Sequence, residues 1–261
     1  MRKLLSIIGL SALLCSACSK EDDQIINLET EGKATITFDA AFGSQDFAIN
    51  KDFTSGTKTL NFSKFRYWVS NVALVKSNGE EYKVPSSYFL LEETGALAIQ
   101  DGAFTYPATK RESIELKNIP AGDYTSIKFS IGVDSKFNDN LSLQTGELSQ
   151  LNGMTNISWM WMTSYIFTSV AGKVTESGLA KNFLVETGLN ANYKSVALDF
   201  PAIVHISSAK ESKIMLKADV EKSLDGIDVV TNTIVGASKP TVMSAVAVNY
   251  STKVFSVTSV N

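Results

Sequence analysis

Apolar and polar residues alternate along most of this chain with the two-residue period of a β-strand. The alternation is clearest in four runs, residues 34–40, 127–133, 196–200 and 214–220. Successive side chains of a strand point to opposite faces, so this pattern predicts strands that are buried on one face and exposed on the other.

Residues 62–75 contain an irregularity. Their apolar positions change parity at Ser70-Asn71, and a β-bulge there, which adds one residue to a strand, would restore the register. The Asn78-Gly79 pair that follows lies between apolar runs and predicts a tight hairpin turn. We therefore expect two antiparallel strands joined at this turn.

Residues 153–172 are the densest in large side chains and hold two of the three tryptophans and three of the six methionines. As a strand, the stretch has an aromatic face and a thioether and aliphatic face: Trp159, Trp161, Tyr165 and Phe167 on the first, Met160, Met162 and Ile166 on the second. This fits a central strand covered on both faces. It also fits a soft-metal site, because two thioethers that point the same way suit Cu(I), with oxidisable indoles beside them.

The whole pattern predicts ten or more short strands and one short helix, at residues 141–151. Strands at residues 242–248 and 254–257 are expected to close the fold. The sequence has no long amphipathic helix and no internal repeat. We therefore predict an all-β fold, an antiparallel two-sheet β-sandwich in a single domain.

Composition and charge exclude one class of function. The chain has 261 residues, 44% of them hydrophobic, and its 24 basic and 27 acidic residues are spread along the whole length. A nucleic-acid-binding surface needs Lys and Arg clustered on one face. We therefore expect no nucleic-acid partner.

The N-terminus has the pattern of a lipoprotein signal peptide. Two basic residues precede an apolar run at residues 4–14, and Ala17-Cys18 then resembles a bacterial lipoprotein box, although Cys15 stands where Leu is usual. This pattern predicts a signal peptide at residues 1–17. Cys18 would then be lipidated and would attach the chain to a membrane.

Residues 18–32 are polar and acidic, and we expect them to tether a domain at residues 33–261 to the lipid. The acidic run after Cys18 resembles the surface-export signal of Bacteroidetes lipoproteins, which implies an outer membrane lipoprotein exposed at the cell surface. The alternative is a cleaved, freely soluble secreted protein. Both cysteines precede residue 19, so the predicted domain has neither a disulfide nor a thiolate metal site.

The sequence lacks the motifs of the common catalytic sites, and we expect no enzyme. The single histidine, His205, is expected half exposed on a strand, and the chain has no Gly-x-Ser-x-Gly elbow and no phosphate-binding glycine loop. The pair Glu92-Glu93 is expected at a solvated sheet edge. Residues 134–140 are rich in oxygen ligands but lack the Gly and distal Glu of a Ca²⁺ loop, so we expect a solvated loop.

Four motifs, taken in order, carry a resemblance to a known family: Phe65-Arg66-Tyr67-Trp68-Val69-Ser70-Asn71-Val72-Ala73-Leu74, residues 119–134, Gly153-Met154 with Trp159-Met160-Trp161 and Tyr165-Ile166-Phe167, and residues 183–188. Together they resemble the MbnP-like family, methanobactin-associated periplasmic copper-binding proteins and their Bacteroidetes lipoprotein relatives. The similarity spans residues 33–220.

The resemblance implies a β-sandwich outside the cytoplasm that binds copper, in some members through histidine and a tryptophan oxidised to kynurenine by a partner dihaem peroxidase. This chain departs from the family pattern at the histidine. The family has Phe-His-x-Gly where residues 183–188 read Phe-Leu-Val-Glu-Thr-Gly. In addition, Ser164 replaces a glycine, and residues 155–158 resemble an insertion.

Two hypotheses follow. In the first, the chain is a cell-envelope lipoprotein that handles copper, with Met160 and Met162 as thioether ligands and Trp159 or Trp161 as the oxidisable ring. In the second, it is a non-catalytic surface binding or assembly module that keeps the fold without a metal. The second hypothesis predicts an exposed apolar or aromatic patch at one end of the sandwich.

Overall fold

The computed structural model describes residues 30–99, 102–156 and 164–261. The strands in these ranges are β1 (Glu31–Phe42), β2 (Gln45–Asp46), β3 (Asp52–Ser55), β4 (Lys58–Lys76), β5 (Glu81–Lys83), β6 (Tyr88–Thr94), β7 (Leu97–Ile99), β8 (Phe104–Tyr106), β9 (Thr109–Arg111), β10 (Ser113–Pro120), β11 (Gly122–Ile131), β12 (Thr155–Asn156), β13 (Ser164–Glu176), β14 (Leu179–Gly188), β15 (Lys194–Ile206), β16 (Ser212–Asp219), β17 (Ile234–Val235) and β18 (Phe255–Val260). The helices are α1 (Ser135–Asn138), α2 (Val220–Ser223) and α3 (Pro240–Thr252), with 3₁₀ turns at Gln150–Asn152 and Asn190–Asn192.

The long strand β4 organises the larger sheet, whose order is β15-β11-β4-β13-β14-β17. Residues 58–67 of β4 pair with β13, and residues 69–76 pair with β11. The short strands β3, β6 and β5 pair with β4 as well. These pairings are antiparallel, and only the two-residue β17 adds to this sheet in parallel, among the described residues.

The smaller sheet has the order β10-β1-β16-β18 and packs against the larger one. Phe38 of β1 shows the contact, because its ring lies 5.4 to 6.4 Å from the rings of Tyr67, Phe129 and Phe255. We call this apolar interior, built from Phe38, Phe62, Phe65, Tyr67, Val69, Phe129, Val170, Leu216, Tyr250 and their buried neighbours, the inner cluster. The predicted two-sheet β-sandwich is confirmed, with β1 and β16 as a parallel exception.

A second apolar cluster lies on the opposite face of the larger sheet. Along β4, Phe65, Tyr67 and Val69 belong to the inner cluster, whereas the alternate residue Trp68 does not. The outer cluster, as we call it, consists of Trp68, Tyr88, Leu90, Val133, Phe137, Leu148, Met154, Tyr165, Ile166 and Phe167. Residues 135–154 supply its cover, so the larger sheet is packed on both faces in this region.

The prediction of a strand at residues 242–248 is wrong. These residues lie in α3, which begins at Pro240, an imino acid that fits the first turn of a helix because its N–H would have no partner there. Met243, Val246 and Ala247 are buried, and so is Tyr250 one turn later. That spacing is helical, and it is the signal that the strand prediction overlooked.

The prediction of a helix at residues 141–151 is also wrong, since the chain here is irregular except for the 3₁₀ turn Gln150–Asn152. Gly146 has φ +56°, a left-handed conformation that interrupts a right-handed helix. A Cβ at Gly146 would lie 2.5 Å from the carbonyl oxygen of Ser86. The close approach to this backbone therefore requires glycine.

Two local predictions in β4 are confirmed. Asn71 has φ +50°, and the register to β11 shifts there: Ser70 lies opposite Ser130 and Ala73 opposite Lys128. Three steps on β4 thus match two on β11, which is a β-bulge. The hairpin turn forms as well, because the N–H of Gly79 donates to the carbonyl oxygen of Lys76 at 2.9 Å.

Candidate functional site

The predicted thioether ligands Met160 and Met162 and the rings of Trp159 and Trp161 lie outside the described residues, as does the lipidation site Cys18. The structure therefore does not test whether these side chains meet. Their neighbours in sequence are described, and those neighbours define a candidate site on the outer cluster.

The chain on either side of residues 157–163 is held together by backbone pairing. Strand β12 runs antiparallel to the start of β13, with Asn156 opposite Ser164. The N–H of Ile166 donates to the carbonyl oxygen of Met154 at 2.9 Å. The two ends of the 157–163 segment thus lie side by side on the outer cluster.

Strand β13, the described second half of the methionine- and tryptophan-rich stretch, lies between β4 and β14. Its residues 164–170 are all buried, which confirms the predicted strand covered on both faces for this part. The predicted alternation is wrong at Ile166, which packs in the outer cluster together with Tyr165 and Phe167. The physical reason is a register shift against β14 between Ile166 and Thr168.

Trp68 is the large side chain that faces Tyr165. The two ring centroids are 6.0 Å apart in an edge-to-face arrangement, and both residues are fully buried. Among the described residues, neither Trp68 Nε1 nor Tyr165 Oη has a hydrogen-bond partner. Burial raises the pKa of Tyr165, so its phenol stays protonated and remains a donor. The sequence signal for Trp68 is its parity, opposite to that of Phe65 and Tyr67.

A buried ion pair borders the outer cluster. Arg66 donates from Nε and Nη2 to Oε2 of Glu92, at 2.6 Å in each case. The side chain of Arg66 is 1% exposed and that of Glu92 2%. Tyr106 donates to the other oxygen of Glu92, and its ring lies 4.9 Å from the Arg66 guanidinium carbon. The expectation that Glu92 lies at a solvated edge is wrong, because β9 and the β7–β8 pair cover this edge.

A second polar group forms where the strands end near α1. The phenol of Tyr88 and the side-chain amide of Asn71 both donate to Oδ2 of Asp134, and Asn71 also donates to the Tyr193 phenol oxygen at 2.6 Å. Burial, together with Asp134, raises the pKa of Tyr88 well above its ordinary range. Instead of a wholly solvated loop, residues 134–140 contain α1, whose N-terminus is capped by Asp134.

The position of the family histidine carries a carboxylate. Counting back from Gly188 in Phe-His-x-Gly leads to Glu186, on the edge of β13. Ser169 donates to Glu186 Oε1 at 2.9 Å, and Lys64 Nζ lies 3.6 Å from the same oxygen. Burial lowers the pKa of Lys64, which Glu186 partly offsets. Within the described ranges, no three His, Cys, Asp or Glu side chains are grouped so as to hold a metal ion.

A cleft of about 400 Å³ opens beside the buried ion pair, lined by residues that include Glu92, Tyr106 and Arg111. Two large apolar side chains are exposed at this end, Phe104 at 50% and Leu151 at 52%. They come from β8 and from the 3₁₀ turn, two elements in contact. The exposed apolar residues expected for a binding or assembly surface are therefore present at the same end as the candidate site.

His205 takes no part in this site. It lies on β15 and is 74% exposed, more than the half-exposed strand position predicted, and its Nδ1 is 2.6 Å from Oδ1 of Asp123. As for the membrane, the part of the chain that the structure describes includes no helix with the length and apolar character of a transmembrane segment.

The comparisons with known proteins agree on one family. The family model MbnP matches residues 31–244. Among solved structures, the chain is similar to MbnP from Methylosinus trichosporium, with a TM-score of 0.49, 16% sequence identity and coverage of 78% of this chain and 80% of that one. No curated protein matches the chain. Because the family model covers most of its length, this chain belongs to the MbnP family.

Proposed function

We propose that this protein is a lipid-anchored cell-envelope protein that binds copper(I) outside the cytoplasm through Met160 and Met162. The observation that carries the proposal is the antiparallel pairing of β12 with the start of β13. It fixes both ends of the segment that bears these two methionines. Thioethers are soft ligands, and Cu(I) is the soft ion of the cell envelope chemistry that this family resembles.

Trp159 or Trp161 is the proposed oxidisable ring beside the metal, and a dihaem peroxidase-like protein is the proposed partner that oxidises it. The proposed anchor is the lipidated Cys18, which would place the domain at the outer membrane surface. We expect no catalytic activity of the chain itself.

A titration of the purified mature protein with Cu(I) against a chromogenic chelator tests the proposal. We expect uptake by the wild type and loss of uptake in the double variant Met160→Leu/Met162→Leu, because leucine keeps the volume and removes the sulfur. The matched control is Met215→Leu/Met243→Leu, which should bind as the wild type does. Absence of uptake, or equal uptake by both double variants, would refute the thioether site.

A metal-free binding or assembly module is the second candidate. The exposed pair Phe104 and Leu151 favours it, as does the ion-paired carboxylate of Glu186 at the family's histidine position. Elemental analysis of protein isolated from its native envelope separates the two candidates: copper in the sample supports the first, and a metal-free sample supports the second. A mass measurement on the same sample reads out tryptophan oxidation.

A further inference from the structure

The buried pair of Arg66 and Glu92 connects four parts of the chain that are distant in sequence. Arg66 lies on β4, Glu92 on β6 and Tyr106 on β8. From the same guanidinium, Nη2 also donates to the carbonyl oxygen of Asn152 at 2.7 Å. Arg66 thus reaches the 3₁₀ turn that leads into the methionine- and tryptophan-rich stretch, 86 positions along the chain.

The contact to Asn152 continues toward β12 and β13. Oδ1 of Asn152 accepts a hydrogen bond from the N–H of Met154 at 2.9 Å, and the carbonyl oxygen of Met154 accepts one from the N–H of Ile166 at 2.9 Å. Between them, Gly153 has φ +72°, and a Cβ there would lie 2.9 Å from Ile99. One unbroken chain of hydrogen bonds therefore leads from Arg66 to the strand on each side of residues 157–163.

Stability alone is a weak explanation for this pair. Desolvating two charges costs about as much as their attraction returns, and apolar residues of similar volume often serve the fold equally well. A buried, fully paired guanidinium does fix geometry, because its planar fork accepts partners in few orientations. Here it fixes one carboxylate and one backbone carbonyl at once.

We infer that Arg66 is a positioning residue for the copper site: its contact with Asn152 sets the place of Met154 and hence of the two strand ends that flank Met160 and Met162. The inference rests on the proposed function for the identity of the ligand. Residues that orient metal ligands typically change metal affinity by about 10- to 100-fold when removed.

The test compares two double variants that each remove one ion pair. Arg66→Met/Glu92→Leu removes the buried pair without leaving a lone charge, and Lys58→Met/Asp228→Leu removes a pair whose side chains are 26% and 42% exposed. We expect Cu(I) affinity to fall by about tenfold or more in the first and to stay at the wild-type value in the second. Equal affinities of the two variants would overturn the inference.

Amide hydrogen exchange gives a readout that does not depend on copper. In Arg66→Met/Glu92→Leu we expect faster exchange at the N–H of Ile166, with the exchange at Val170 and Leu74 unchanged. Unchanged exchange at Ile166, or equal acceleration along the whole of β13, would overturn positioning. If the wild type binds no Cu(I), the proposed function fails while the exchange data still decide the role of Arg66.

Arg66→Lys is the second variant, in case the double variant does not fold. It keeps the charge and loses the fork, so it should give the same change at Ile166 if geometry is what matters. Wild-type exchange and affinity in Arg66→Lys would overturn the inference too.

Discussion

The two faces of the larger sheet are packed in different ways. The inner cluster is closed by aromatic rings that meet edge to face, such as Phe38 against Phe129 at 5.4 Å. The outer cluster is bordered by a buried guanidinium and a buried carboxylate, and it contains Trp68 with an indole N–H that has no partner among the described residues. Apolar packing stabilises a fold cheaply, whereas buried charge costs free energy. The difference indicates that the inner face holds the fold and the outer face serves the function.

The largest expected effect is on the inner face. Phe38→Ala leaves a cavity between the sheets and should lower the free energy of unfolding by about 3 to 5 kcal/mol. Chemical denaturation measures it, and copper uptake of the remaining folded protein should be unchanged. A loss below about 1 kcal/mol would show that the inner cluster does not carry the fold.

The next effect separates charge from packing on the outer face. Arg66→Met alone leaves Glu92 buried and unpaired and should cost about 3 to 5 kcal/mol, whereas adding Glu92→Leu should recover most of that loss. Denaturation of the single and double variants measures the recovery. If both lose the same stability, packing of the Arg66 side chain matters and the charge does not.

The sequence pattern predicts the inner face better than the outer one. Alternation along 34–40 or 127–133 reports directly on a half-buried strand, and a change of parity at Ser70-Asn71 reports on a bulge. The pairing of Arg66 with Glu92 depends on which strands lie side by side, which no local pattern contains. Glu92 for this reason resembles a solvated carboxylate in the sequence.

The helix α3 was within reach of sequence reasoning, and the site was only partly so. Met243, Val246, Ala247 and Tyr250 follow helical spacing, but a run rich in valine and alanine also fits a buried strand. The density of large side chains at 153–172 locates the candidate site correctly at its described half.

A smaller effect tests the turn that Arg66 holds. Gly153→Ala forces a left-handed alanine against Ile99 and should cost about 1 to 3 kcal/mol. Gly56 is the matched control, since it also has positive φ, +59°, but no atom within 4 Å of an added Cβ. Gly56→Ala should therefore cost less in the same denaturation experiment. Equal losses would show that the contact at Gly153 is loose.

The smallest effect belongs to the exposed pair. Hydrogen bonding to Lys58 lowers the pKa of Asp228 from 3.8 to about 2. A lowered pKa stabilises the fold above pH 4 and loses this contribution as the pH falls from about 4 to 2. Because the side chain is 42% exposed, the contribution should stay below about 1 kcal/mol. Comparing Asp228→Asn with wild type between pH 6 and pH 2 should show a difference that shrinks with falling pH, and a difference that grows would contradict the assignment.

The most direct measurement of the central claim is X-ray absorption at the copper edge on mature protein loaded with Cu(I). The account predicts sulfur scattering in the first coordination sphere that disappears in Met160→Leu/Met162→Leu and persists in Met215→Leu/Met243→Leu. Copper bound by nitrogen and oxygen alone, or sulfur scattering that survives the loss of Met160 and Met162, would contradict it.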